Sequence, residues 1–204
     1  MAATEKLVIA GQAGRLEGVV HHPEGSPRAI AVVAHPLPTM GGTMENKVVT
    51  TLAKTFVELG CAAVRFNFRG TGNSAGAFDE GNGEVDDVIA VVEHAQQTLG
   101  ELPLVLAGFS FGGYVQARAA QRLHPRRLVL IAPAVGRFAM PQVPPDTLLI
   151  HGEQDDVIPL QEALFWARPQ HLPIVVLPET EHFFHGRLNL LRQLVVKEFN
   201  GNPL

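Results

Sequence analysis

The chain has 204 residues, 46% of them apolar and 18% charged, and its 16 basic and 20 acidic side chains give a net charge of −4. This length suits one domain with a substantial core, and the balance is globular rather than disordered. No basic run suggests a nucleic-acid partner and no apolar stretch is long enough to span a bilayer, so neither partner is expected. The start, Met1-Ala-Ala-Thr-Glu-Lys, lacks the basic and apolar pattern of a secretory signal. The single cysteine, Cys61, excludes an internal disulfide and suits a reducing compartment. A soluble cytoplasmic protein is the expectation. Cys61 stands at the entry to an apolar strand, where a buried, inert thiol is expected.

Short apolar runs at 5–10 and 14–20, separated by Gly11 to Ala13, read as an antiparallel pair. Ala29 to Ala34 (AIAVVA) reads as a continuous strand. The segment from Asn46 to Leu59 follows as a helix, because Val48, Val49, Leu52, Phe56 and Leu59 recur at three- and four-residue spacing. A strand is expected at Ala62 to Phe68, then a glycine-rich loop. Next comes a helix from about Glu84 to Leu99, with Glu84, Asp86 and Asp87 at its positive end. Leu104 to Phe109 reads as a strand and Phe111 to Leu123 as a helix. Arg126 and Arg127 read as a solvated edge before the next strand. Strands are expected at Leu128 to Ala132, Leu148 to His151 and Ile174 to Leu177, with a closing amphipathic helix from Arg187 to Phe199. Continuous apolar strands alternating with helices imply an α/β fold, a mostly parallel sheet covered on both faces in a single domain. Ligands bind such sheets beyond the carboxyl ends of the strands.

At one such end stands Gly108-Phe109-Ser110-Phe111-Gly112-Gly113, after the strand LPLVLA and opening the helix YVQARAAQRL. G-x-S-x-G in a strand–turn–helix context is the pattern that exposes a nucleophilic serine on a strained turn. Gly108 and Gly112 let the two backbones approach, and the helix start offers N–H groups to developing negative charge. A phosphate-binding loop fits less well, since no lysine follows the glycines.

A hydroxyl nucleophile needs a general base, and the base an orienting acid, here in the chain order Ser, acid, His. After the strand LLI, the segment His151-Gly152-Glu153-Gln154-Asp155-Asp156-Val157-Ile158-Pro159 supplies carboxylates. After the last strand, Glu179 to Gly186 supplies His182 as the base. His185 is assigned to hydrogen bonding, and His151 to fixing local backbone before a turn glycine. His21, His22, His124 and His171 read as residues of surface connections. His182 and His185 have no companion cluster that would hold a metal, so neither metal nor cofactor is expected.

A tetrahedral intermediate needs two N–H donors at its oxygen. Phe111 supplies one. The loop His35-Pro36-Leu37-Pro38-Thr39-Met40-Gly41-Gly42 supplies the other at Leu37, because Pro36 and Pro38 have no N–H.

Taken together, AHPLPTMGGTMENKVV, VRFNFRGTGNSAG, GFSFGG, HGEQDDVIP and EHFFHGR resemble, in the same order and over nearly the whole chain, the small lidless bacterial-type α/β-hydrolases. These are serine hydrolases like the dienelactone hydrolases and carboxylesterases. The resemblance implies a triad of Ser110, Asp155 and His182, and a structural role for FNFRGTGNS. The family commonly has histidine where Leu37 stands, which alters the pocket wall but not the backbone donor.

Many such folds carry a helical cap, but here Pro133, Pro141, Pro144 and Pro145 break the segment 133–147, so an open site is expected. Leu37, Met40, Phe111, Phe138, Met140, Phe183 and Phe184 are its candidate apolar walls, with Met40 and Phe183 singled out as substrate contacts. The expected activity is hydrolysis of small carboxylic esters through an acyl-enzyme. A thioesterase, an acyl-peptide or amide hydrolase, and an inactive binding module on the same fold are the alternatives.

Overall fold

The chain is described by a computed structural model, which covers residues 3–202. The elements run β1 (Thr4–Gly11), β2 (Gly14–His21), β3 (Ala29–Ala34), α1 (Lys47–Glu58), β4 (Cys61–Phe66), α2 (Asn82–Leu99), β5 (Leu104–Phe109), α3 (Phe111–Leu123), β6 (Arg127–Ile131), β7 (Leu148–Gly152), α4 (Leu160–Ala167), β8 (Val175–Leu177) and α5 (Leu188–Gly201). One eight-stranded sheet has the order β1-β2-β4-β3-β5-β6-β7-β8. The β1–β2 and β2–β4 pairs are antiparallel and the rest parallel.

All residues of β3, β4, β5, β6 and β7 are buried, as strands covered on both faces must be. Successive side chains point to opposite faces, so the core divides into two layers. Ile30, Val32, Leu106 and Leu130 pack with residues of α2, α3 and α4 on one face. Ala31, Val33, Val105, Phe109 and Ile150 pack with α1 and α5 on the other. Each buried Val, Leu or Ile contributes roughly 1.5–3 kcal/mol relative to exposure.

The chain passes from β3 outward to β4, then returns to place β5 on the other side of β3. This reversal opens a crevice at the carboxyl ends of β3 and β5. Ala34 pairs with Gly108 at those ends, which sets the loop after β3 beside the turn after β5. Gly152 pairs with Leu177 at the ends of β7 and β8, which brings the next two loops together. The segment 133–147 contains no helix, and Pro141 and Val143 are tied to Trp166 and Gln170 below. Among the described residues no helix is long and apolar enough to cross a membrane.

Several sequence expectations are corrected. α4 falls where no helix was expected, in a two-turn segment too short to show a period. β4 ends at Phe66 rather than Phe68, and β8 begins at Val175 rather than at residue 174. His21 closes β2 instead of lying in a loop, within hydrogen-bonding distance of Thr4 and Arg65. Arg127 is no solvated edge: it is buried in β6, donates to Glu198 at 2.6 Å and lies over the Phe199 ring.

The glycine-rich FNFRGTGNS segment is a scaffold. Arg69 forms a fork with Asp87 at 2.8–3.1 Å, and the Asn67 side-chain oxygen accepts from the Met44 N–H. Asp87 is thus a partner of Arg69, and Glu84 accepts from the Asp79 and Gly81 N–H groups at the start of α2.

Candidate active site

Ser110 stands between β5 and α3 at φ 54°, ψ −118°, a strained position for a residue with a Cβ. The turn around it over-determines that conformation. The Ser110 N–H donates to Ile131, and its carbonyl accepts from Gly113, Tyr114 and Ala134. A Cβ on Gly108 would be driven into the Gly112 backbone, and one on Gly112 into the carbonyl of Ala34. Only glycine allows strand, helix and the neighbouring loop to meet this closely.

The next loop places a carboxylate. Asp155 Oδ1 accepts from the Val157 N–H at 3.0 Å and the Ile158 N–H at 2.7 Å, which fixes the side chain. Its Oδ2 lies 2.7 Å from His182 Nδ1, and His182 Nε2 lies 3.0 Å from Ser110 Oγ. A carboxylate only accepts, so Nδ1 carries the imidazole proton and Nε2 presents its lone pair to the hydroxyl. Gly152 lets the histidine loop pass, since a Cβ there would strike the Thr180 carbonyl. Ser110, Asp155 and His182 are thus brought into one hydrogen-bonded line although they lie in three separate loops, and all three are buried.

Phe111 is the first residue of α3, so its N–H has no partner one turn back. Among the described residues the Leu37 N–H also donates to nothing. His35 holds the Leu37 peptide. Its Nε2 accepts from the Phe68 N–H at 3.0 Å, so Nδ1 carries the proton and donates to the Pro36 carbonyl at 2.7 Å. Across that trans peptide, anchoring the Pro36 carbonyl fixes the opposite direction of the Leu37 N–H. Burial pushes the His35 pKa down to about 4, against the opposing effect of the Pro36 bond.

A cleft of about 370 Å³ opens over Ser110. Leu37, Met40, Phe111, Phe138 and Phe183, five of the candidate walls, line it together with His182. Met40 and Phe183 stand out at its mouth, 79% and 42% exposed. The Phe111 ring itself is fully buried against Phe68, Phe78, Tyr114 and Phe138. Two expected wall residues are corrected: Phe184 is buried on the α1/α5 face, and Met140 packs against the opposite core.

Asn46, Arg137, Val157 and Ile158, to which the sequence assigns no site role, also line the cleft, and Asp156 stands beside them. Asn46 was legible as a helix cap, its Oδ1 accepting from Val48. Asp156 is exposed. His185 lies outside the cleft lining and is exposed, 3.0 Å from Glu181. Cys61 is buried, as expected, and its thiol is pushed up to about 11 by that burial.

The model of the family described as serine aminopeptidase, S33, matches residues 25–146. The lidless α/β serine hydrolase XC6422 from Xanthomonas campestris is 41% identical, with a TM-score of 0.91 over 97% of this chain and 94% of that one. An α/β serine hydrolase homologue from Coxiella burnetii is 39% identical, with a TM-score of 0.85 over 95% and 96% of the two chains. The uncharacterized protein RP471 of Rickettsia prowazekii is 39% identical over 119 residues, a match that spans 57% of this chain and 50% of that protein. By fold and by family, the chain belongs to the α/β serine hydrolases of the serine aminopeptidase S33 family.

Proposed function

We propose that the protein hydrolyses small carboxylic esters through an acyl-enzyme on Ser110, with His182 as general base and Asp155 as the orienting acid. The observation that carries this reading is the line from Asp155 Oδ2 to His182 Nδ1 at 2.7 Å and from His182 Nε2 to Ser110 Oγ at 3.0 Å. As Ser110 Oγ attacks the ester carbonyl, its proton passes to His182 Nε2. Asp155 stabilises the imidazolium, and the oxyanion is received by the Leu37 and Phe111 N–H groups. Each such donor is worth roughly 2.7–4 kcal/mol in the transition state. Collapse sends the Nε2 proton to the leaving alcohol. Water then repeats the sequence against the acyl-enzyme and frees Ser110. Met40 and Phe183 offer apolar contact to the substrate at the cleft mouth.

The same machinery cleaves thioesters and amides. The exposed Asp156 carboxylate in the cleft lining favours, as a second reading, a substrate with a free amino group. A panel of p-nitrophenyl esters, acyl thioesters and aminoacyl amides separates these, with Ser110→Ala as the control. The ester reading expects short p-nitrophenyl esters to give the highest kcat/KM and Ser110→Ala to abolish turnover. Preference for aminoacyl amides would move the assignment to the second reading.

A further inference from the structure

Beneath the acid loop lies a second imidazole that this chemistry does not use. His151, in β7, is fully buried. Its Nε2 lies 2.8 Å from the Ile158 carbonyl oxygen and 3.5 Å from Asp155 Oδ2. The carbonyl only accepts, so Nε2 carries the ring proton. Burial lowers the pKa of this ring, outweighing the Ile158 bond and the Asp155 charge. In the neutral ring Nδ1 is a bare acceptor, and among the described residues it has no hydrogen-bond partner. An orphan of this kind is a desolvation cost that the fold carries.

What the imidazole supplies is visible at Ile158. That residue is held from both sides: its N–H donates to Asp155 Oδ1 at 2.7 Å, and its carbonyl accepts from His151. The chain of contacts then runs from His151 through Ile158 and Asp155 to His182 and Ser110. Resting on the reading of Ser110, Asp155 and His182 as a triad, we propose that His151 is a positioning residue for the acid. It pins the turn of residues 155–158 through the Ile158 carbonyl and sets a second N–H dipole beside Asp155 Oδ2. The titratable groups that bear on its ring are Asp155 and His182. The dipole offsets part of the carboxylate's pull on His182. Removing the pin and the dipole alters the pull of Asp155 on His182, a change that mere core filling does not produce.

The test uses the second-order rate of labelling by a fluorophosphonate, read as a function of pH, together with the melting temperature. In that reaction Ser110 Oγ bonds to phosphorus, fluoride leaves and His182 takes the serine proton. His151→Leu is expected to melt near the parent temperature, to label about 10- to 100-fold more slowly, and to show its basic-group midpoint displaced from the parent's. His151→Gln, whose amide N–H reaches the Ile158 carbonyl, is expected to recover most of the rate. A folded leucine variant with the parent's rate and midpoint overturns the proposal. Should that variant not fold, a folded glutamine variant that loses more than about tenfold overturns it equally. Ser110→Ala separates the two claims. If it still labels, the triad reading fails and the inference falls with it. If it does not label while His151→Leu matches the parent, only the role of His151 is lost.

Discussion

Asp155 and Asp156 are adjacent in one turn but face different surroundings. Asp155 reaches His182 Nδ1 at 2.7 Å in the buried interior, while the Asp156 carboxylate stands exposed in the cleft lining. Asp155→Asn keeps the shape but donates where it should accept, favouring the wrong tautomer of His182. Its kcat is expected to fall roughly 10⁴-fold. Asp156→Asn is expected to cost about tenfold or less. Steady-state kinetics on both, with circular dichroism confirming the fold, checks the pair; the reverse order would move the acid to Asp156.

Leu37 has φ −54°, ψ 118°, a conformation that proline adopts without strain. Leu37→Pro keeps this φ but replaces the N–H with the ring Cδ and takes the leucine side chain from the cleft wall. Loss of the donor is expected to lower kcat by at least about 10²–10³-fold. A proline variant with full kcat would remove Leu37 from the oxyanion site.

His35 makes stability depend on pH, and the sign follows from its neutral burial. Its folded pKa, about 4, lies below the ordinary 6.5, so between those values the unfolded chain binds the extra proton. The stability it contributes is complete above about pH 6.5 and is lost as pH falls toward 4, on the order of 3 kcal/mol in all. The buried His151 ring acts in the same direction. Urea unfolding of the parent and of His35→Asn across this range checks it, the variant showing the shallower dependence. Parallel curves would mean that His35 titrates alike in both states.

The open cleft predicts no interfacial activation. With no helix in the segment 133–147 to close over Ser110, the rate on a short-chain ester is expected to rise smoothly through its solubility limit. A sharp jump at that limit would show that some segment does close over the cleft.

Much of this architecture was legible residue by residue. Ser110 could be placed because its signal is local: apolar strand, two flanking glycines and a helix in unbroken succession. Asp155 and His182 meet only because β7 and β8 end side by side, a relation that local pattern does not encode, and the preference for Asp155 came from resemblance. Phe183 and Phe184 look equivalent in the chain. In the loop Phe184 takes φ 57°, and the two rings part, one to the cleft mouth and one to the core. Outside a helix or strand no period distinguishes them. Arg127 was misread because its partner Glu198 lies 71 residues away. α4 was missed because two turns after Pro159 give too few repeats for a helical stripe to register.

Labelling by a fluorophosphonate followed by peptide mapping checks that Ser110 is a base-activated nucleophile. The hydroxyl beside His182 Nε2 is expected to be the one modified group, with stoichiometric mass gain in the parent and none in Ser110→Ala or His182→Ala. Cys61, buried and with its thiol held near 11, should remain unmodified. A folded parent protein that takes no label, or takes it at Cys61, would contradict the account.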